Sequence, residues 1–275
     1  MCGICGCSQT GHSGKLTPVQ GKIQPVLKIG HAQTLSQVDH PPLDNARLVQ
    51  VEQDLLSKNN AYAAQNRHFF QAEGIFAINL VSSPGAGKTT LLVETIKQLQ
   101  GRFPIAVIEG DQQTQHDADR IRATGIPALQ INTGRTCHLD AQGIGLAVMQ
   151  LAVQPDSLLV IENVGNLVCP ASFDLGEAHK VVVLSVTEGD DKPLKYPDMF
   201  HAADIMVLNK TDLLPYVDFD VEKCLAYALQ VNPNLQVIQL SAKTGENLAQ
   251  WLDWLAGQVA RPSQVTPTRG IASLY

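Results

Sequence analysis

Residues 75–100 read IFAINLVSSPGAGKTTLLVETIKQLQ, an apolar run, a glycine-bearing loop and a helix-like stretch in direct succession. The phosphate-binding pattern G-x-x-x-x-G-K-[ST] is met at Gly87, Lys88 and Thr89, with Ser82 standing where its first glycine belongs. Gly85 and Gly87, on either side of Ala86, let backbone N–H groups turn toward phosphate oxygens. Lys88 neutralises β/γ-phosphate charge, and Thr89, followed by Thr90 in the first helical turn, can ligate Mg²⁺. A strand before the loop and a helix after it supply the context that this chemistry requires.

Working outward, six further apolar runs follow at 105–110, 128–132, 158–164, 181–186, 205–210 and 235–241, separated by stretches long enough for crossover helices. The runs are continuous rather than alternating, which fits strands buried on both faces of a mostly parallel sheet. The fold expectation is therefore a doubly wound α/β P-loop domain over 73–260. Before it, 43–72 reads as an amphipathic helix with Leu48, Val51, Leu55, Tyr62 and Phe69 on one stripe. Residues 8–42, rich in Gln, Gly, Pro, Ser and His, read as a flexible linker, and 261–275 as a loose tail.

The chain has 275 residues, 44% of them hydrophobic, enough for one sizeable core. A net charge of −6 without a dense Lys/Arg run argues against nucleic acid or a membrane surface as a partner. With no apolar run near bilayer length and no signal-like start, a cytoplasmic location is expected. In that reducing setting six cysteines serve better as ligands, nucleophiles or core residues than as disulfides; Cys224, within an apolar helical pattern, reads as core.

The run at 205–210 leads into Asn209, Lys210, Thr211 and Asp212, and the last run ends in Ser241, Ala242 and Lys243. Asp212 can pair both carboxylate oxygens with the N1–H and 2-amino group of guanine. Adenine would set a lone pair against that carboxylate, a mismatch able to discriminate by about 10⁴-fold. GTP and GDP are thus the expected ligands, with Asn209, Lys210, Asp212, Ser241, Ala242 and Lys243 at the base. Asp111 and Glu162, each closing a strand, are candidates to hold Mg²⁺ directly or through water, and with Lys88 form the candidate catalytic set. Gly165 is placed to hinge on the γ-phosphate. Asn166 stands where a water-orienting Gln would be useful, so slow intrinsic hydrolysis, completed by assembly, is expected.

Two cysteine clusters remain. Cys2, Cys5 and Cys7 follow C-x-x-C-x-C spacing, close enough for one ion, and an amine-plus-thiolate chelate suits square-planar Ni²⁺. Cys137, His138 and Cys169 can meet at a second site for a soft or borderline metal; the ordinary alternative is a core thiol beside a surface imidazole.

Taken together, MCGICGC (1–7), SSPGAGKTT (82–90), EGDQQTQHDADRIRATGIPA (109–128), NTGRTCHLDAQ (132–142), VIENVGNLVCPASFDLGE (160–177), VTEGDDKPLKYP (186–197) and NKTDLLPY (209–216) resemble the HypB family. These are GTPases of the SIMIBI class that help insert nickel into [NiFe]-hydrogenase. The resemblance spans about 43–255 and the opening cysteines. It implies a GTP- and metal-dependent homodimer, a tight nickel site at Cys2, Cys5 and Cys7, and a weaker Ni²⁺ or Zn²⁺ site at Cys137, His138 and Cys169. HypA and the hydrogenase large-subunit precursor are the partners it implies. Only His12, His31 and His40 punctuate the 8–42 segment, which favours nickel delivery over storage. Two rival readings are a nickel buffer in which GTP sets conformation only, and an accessory GTPase for urease or a cobalamin enzyme; the missing Cys-Pro-His motif and the terminal cysteines disfavour the latter.

Overall fold

The computed structural model describes residues 27–28, 45–111, 116–134 and 136–260; Cys2, Cys5 and Cys7, the rest of segment 8–42 and the tail 261–275 lie outside the described residues. In chain order the elements are β1 (Leu27–Lys28), α1 (Asn45–Ala72), β2 (Phe76–Ser82), α2 (Lys88–Leu99), β3 (Ile105–Asp111) and α3 (His116–Arg122). They continue with β4 (Ala128–Asn132), α4 (Ala141–Leu151), β5 (Leu158–Glu162), β6 (His179–Ser185), α5 (Lys192–Lys195) and α6 (Pro197–Ala202). The last are β7 (Ile205–Asn209), α7 (Val221–Val231), β8 (Gln236–Gln239) and α8 (Leu248–Val259), with 3₁₀ turns at Cys169–Ala171 and Thr211–Tyr216. The seven longer strands begin and end within two residues of the predicted runs.

All pairings are parallel, and the strand order is β1-β4-β3-β5-β2-β6-β7-β8. After β2 the chain runs to one side through β3, β4 and β5, then crosses to β6, β7 and β8. The loops after β2, β5 and β6 consequently meet at a switch point on the C-terminal edge, where such sheets bind ligands.

The strands are predominantly apolar because both faces are covered. Ile78, Leu80, Val160, Val181 and Val207 pack on α2 and α8 through Leu91, Ile96, Trp251 and Leu255. On the opposite face Ala77, Ile108 and Ile161 meet Phe70 of α1 and Ile144 and Val148 of α4. Val182, Leu184 and Met206 meet Phe200 of α6 and Cys224 of α7, which is a core residue as the sequence suggests.

Helix α1 forms where expected, yet its apolar stripe does not describe its packing. Val51 and Leu55 are 49% and 59% exposed, Tyr62 and Phe69 are half-buried, and the Leu48 side chain lies outside the described residues. Among the described side chains of α1 the attachment starts at Asn59 and is largely polar. Asn59 donates to Asp174 O (2.7 Å) and accepts from Ala141 N (2.9 Å). Asn66 donates to Ala141 O (2.7 Å) and Leu175 O (3.0 Å), and Arg67 grips both oxygens of Asp174 at 2.7 and 2.8 Å. Amide side chains satisfy the loop carbonyls of Asp174 and Leu175 and the backbone at the start of α4, so they, rather than leucines, occupy the contact.

Gly176 lies under this contact with φ +90°, and a Cβ there would stand 2.6 Å from Asn66 Cβ and 2.7 Å from Ala63 O. Gly176→Ala is expected to cost about 2 kcal/mol or more, through strain and separation of α1 from the domain. Urea unfolding followed by circular dichroism checks this; a loss below about 0.5 kcal/mol would mean that the contact is loose.

Candidate functional site

The phosphate loop leaves β2 at Ser82 and enters α2 at Lys88. Gly87, the residue preceding the helix, has φ +100° and no side chain caps the first turn, so the turn's N–H groups are left for an anion. Gly85, at φ +78°, has no atom within 4 Å of where a Cβ would project, whereas a Cβ on Gly87 would lie 2.5 Å from Asn209 Nδ2. One glycine opens the cradle and the other admits a neighbour. Lys88 Nζ donates to Ser82 Oγ at 2.8 Å. Ser82 thus gives the lysine a polar resting partner that a glycine would not.

Base and phosphate motifs are joined directly. Asn209, at the end of β7, donates to Ala86 O (3.0 Å) and accepts from Lys210 N (2.8 Å) and Ala242 N (3.0 Å). Lys210 takes φ +64° and donates to Gly85 O at 2.8 Å. Ser241 Oγ donates to Asp212 Oδ1 at 2.6 Å and accepts from Thr244 N at 3.1 Å. Asn209, Lys210, Asp212, Ser241 and Ala242 therefore share one hydrogen-bonded corner; Lys243, next in sequence, is exposed.

On the other side of the loop, Thr89 Oγ1 donates to Glu162 Oε1 at 2.6 Å. Thr90 Oγ1 accepts from Arg120 of α3 at 3.1 Å. Asp111 closes β3, its carbonyl accepting from Thr133 N at 3.0 Å. Burial pushes Glu162 up to about 7 against the pull of Lys88, and lowers Lys88 in turn. Glu109, which the sequence reading passed over, stands beside Glu162 in the β3–β5 register. Burial, then the charge of Glu162, pushes it up to about 9. Among the described residues neither Glu109 Oε2 nor Glu162 Oε2 has a hydrogen-bond partner although both are buried. Hard oxygen donors in this state fit a divalent cation of the Mg²⁺ type. A second omission is Lys192, which donates to Ser83 Oγ at 3.2 Å and pairs with Glu188 at 3.2 Å. The signal for Glu109 was a charged residue inside an otherwise apolar strand; Lys192, in the charged stretch TEGDDKPLK, had no such signal.

Cys137, His138 and Cys169 offer ligand atoms that all lie within 4.8 Å of one another, and all three are half-buried. They come from the loops after β4 and β5. His138 packs against the Phe173 ring with centroids 3.8 Å apart. Asn166 donates to Cys137 O at 3.4 Å and accepts from Val168 N at 2.8 Å, bridging the two loops. In the same segment, a Cβ on Gly165 would be 3.1 Å from Pro84 Cα of the phosphate loop. Phosphate loop, Glu162, Gly165 and thiol cluster are therefore consecutive contacts along one edge. No helix among the described residues is long and apolar enough to cross a membrane.

Glu109 gives a test of this electrostatic arrangement. Its folded pKa lies above that of the unfolded chain, so folding opposes its ionisation: the penalty is absent below about pH 4.5, grows toward about 9 and is constant beyond. In Mg²⁺-free buffer Glu109→Gln should stabilise the protein by about 2 kcal/mol more at pH 8 than at pH 5.5, at roughly 1.4 kcal/mol per pH unit less solvent screening. Urea midpoints at the two pH values decide it; an equal effect at both would remove the buried-acid description.

Comparison with known proteins brings in the family. The profile of the CobW/HypB/UreG nucleotide-binding domain matches residues 76–239. Hydrogenase maturation factor HypB of Azotobacter chroococcum mcd 1 is 54% identical over 94% of this chain and 92% of its own. The Escherichia coli K12 protein of the same name is 59% identical over 84% of this chain and 79% of its own. The crystal structure of HypB from Helicobacter pylori in complex with nickel superposes with a TM-score of 0.69 at 39% identity, covering 76% of this chain and 98% of that one.

Proposed function

Since the chain belongs to the CobW/HypB/UreG family and within it to the HypB hydrogenase maturation factors, we propose that it is a GTP-hydrolysing nickel chaperone. It delivers Ni²⁺ to the [NiFe]-hydrogenase large-subunit precursor. The observation that carries this reading is the juxtaposition of a nucleotide cradle and a two-thiol, one-imidazole cluster on neighbouring loops of one sheet edge. A storage protein would need neither the base-recognition corner nor its bonds to the phosphate loop.

In this reading GTP lies along the C-terminal edge. Asp212, oriented by Ser241, takes the guanine N1–H and 2-amino group, while Asn209 and Lys210 hold the phosphate loop from the base side. The N–H groups at Gly85, Ala86 and Gly87 and the first turn of α2 cradle the phosphates, and Lys88 exchanges Ser82 Oγ for phosphate oxygen. Thr89, with Asp111 and Glu162, would hold Mg²⁺, which neutralises charge developing on the β- and γ-oxygens. Glu162 then gives up Thr89 as its partner. That exchange moves the 163–169 segment, in which Gly165 meets the loop and Cys169 meets Cys137 and His138. Nickel, or zinc in its place, is thereby gripped or released according to the nucleotide. Cys2, Cys5 and Cys7 load nickel and pass it to this edge or to a partner's. The assembly acts as a homodimer with HypA.

Two results test the proposal. The full chain should hydrolyse GTP slowly, below about 10 s⁻¹, and prefer it to ATP by about 10⁴-fold, with Asp212→Asn losing most of that preference. Cells carrying Lys88→Ala should lose hydrogenase activity at least about tenfold under limiting nickel. Unchanged maturation with a hydrolysis-dead Lys88→Ala chain would replace delivery by buffering.

A further inference from the structure

Lys180 stands near the start of β6, and its ammonium is buried beneath the turn that carries Cys169. Its Nζ donates to Pro170 O at 2.9 Å, Ala171 O at 3.2 Å and Phe173 O at 3.1 Å. These carbonyls begin one residue after Cys169 and end at the ring that packs on His138. Three donors on one ammonium thus meet three acceptors of one turn, which fixes the path of the chain between them. The charge is balanced by Glu177, whose Oε1 lies 3.8 Å from Nζ.

Glu177 is not confined to that pairing. Its Oε1 accepts from Asn79 Nδ2 at 3.0 Å and its Oε2 from Leu175 N at 2.6 Å. Asn79 lies in the middle of β2, the strand that carries the phosphate loop, and its Oδ1 accepts from Asn163 Nδ2 at 3.2 Å. Asn163 follows Glu162 directly, and its own Oδ1 accepts from Val164 N at 3.0 Å and from Leu139 N at 3.2 Å. Leu139 is the residue after His138. Asn79, Asn163, Glu177 and Lys180 are all buried, and their hydrogen bonds, linked by the Lys180–Glu177 ion pair, run from the Cys169 turn, under the phosphate-loop strand, to the Cys137–His138 loop.

We propose that Lys180 and Asn163 are positioning residues for nickel, Lys180 holding the Cys169 half of the site and Asn163 the Cys137–His138 half, with Glu177 and Asn79 tying both to β2. Neither residue touches the metal. A metal site assembled from two loops keeps its ligands at bonding distance only if each loop is held to a common frame, and outer partners of this kind change metal affinity by about 10–100-fold when removed. Burying the Lys180 ammonium on β6 and the Glu177 carboxylate just before that strand has a cost that this task explains. The inference rests on the reading of Cys137, His138 and Cys169 as a nickel site.

The test uses the full chain with Cys2→Ser, Cys5→Ser and Cys7→Ser, so that the inner site reports alone, in the presence of GDP. Ni²⁺ is titrated against a competing chelator while the thiolate-to-nickel absorption band is recorded. Lys180→Met and Asn163→Ala should each weaken nickel binding by about 10-fold or more and alter the band. Lys180→Met should leave metal-free GTP hydrolysis within about threefold of the parent, a split that general unfolding would not produce. If one variant fails to fold, the other decides, because each holds a different half. Parental affinity and spectrum in a folded variant would overturn the inference while leaving the nickel site standing. A parent chain that takes up no nickel at the three ligands would overturn both.

Discussion

Parallel pairing of β2 with β5 on one side and β6 on the other is the constraint on which the rest of the molecule depends. It brings Ser82, Glu162 and Ser185 to the same edge, although the chain reaches them by crossovers in opposite directions. A parallel sheet covered by helices on both faces leaves its strand ends as the place where polar backbone can be reached by a ligand. Phosphate loop, base corner and thiol cluster are loops of that one edge, with Pro84 beside Gly165 and Asn166 bonded to the Cys137 carbonyl where the phosphate loop, the 163–169 segment and the thiol cluster adjoin.

The edge is also where the fold tolerates buried charge. Lys88, Glu109 and Glu162 all lie within it, each destabilised in its charged form by burial. Two carboxylates facing each other across β3 and β5 with unpartnered oxygens weaken a resting sheet and strengthen one that holds a cation and a polyphosphate. Farther down the strands the buried polar groups behave differently. Asn79, Asn163, Glu177 and Lys180 are bonded to one another or to loop carbonyls and need no ligand to complete them. The first group is arranged for binding and the second for holding shape.

Much of this was legible in the residues. Continuous apolar runs mark strand positions within two residues because a strand buried on both faces is predominantly apolar along its whole length. The phosphate loop and the NKTD and SAK motifs were legible because each is short and sequential. Cys137, His138 and Cys169 could be nominated, since thiolates and imidazole are rare, but only the fold brings ligands 31 and 32 residues apart in sequence to within 4.8 Å. The stripe on α1 misled because the 28-residue helix keeps its apolar period through Val51 and Leu55, which are exposed. Glu109 was hidden as a single acid inside an apolar run. Lys180 was hidden because the apolar run was read from Val181, whereas the strand begins at His179. A buried charge has no period; its partners are supplied by other strands.

What unifies these features is that a single shift of the 163–169 segment would be felt by nucleotide and metal alike. The most direct measurement is the nickel affinity of Cys137, His138 and Cys169 in two nucleotide states, with the opening cysteines replaced, using GDP and a non-hydrolysable GTP analogue at saturating Mg²⁺. Coupling through the shared edge requires the two affinities to differ by at least about fivefold, equivalent to about 1 kcal/mol, and the analogue's affinity to change by the same factor on adding nickel. Equal affinities in the two states would contradict the account, leaving two sites that are neighbours in space and independent in energy.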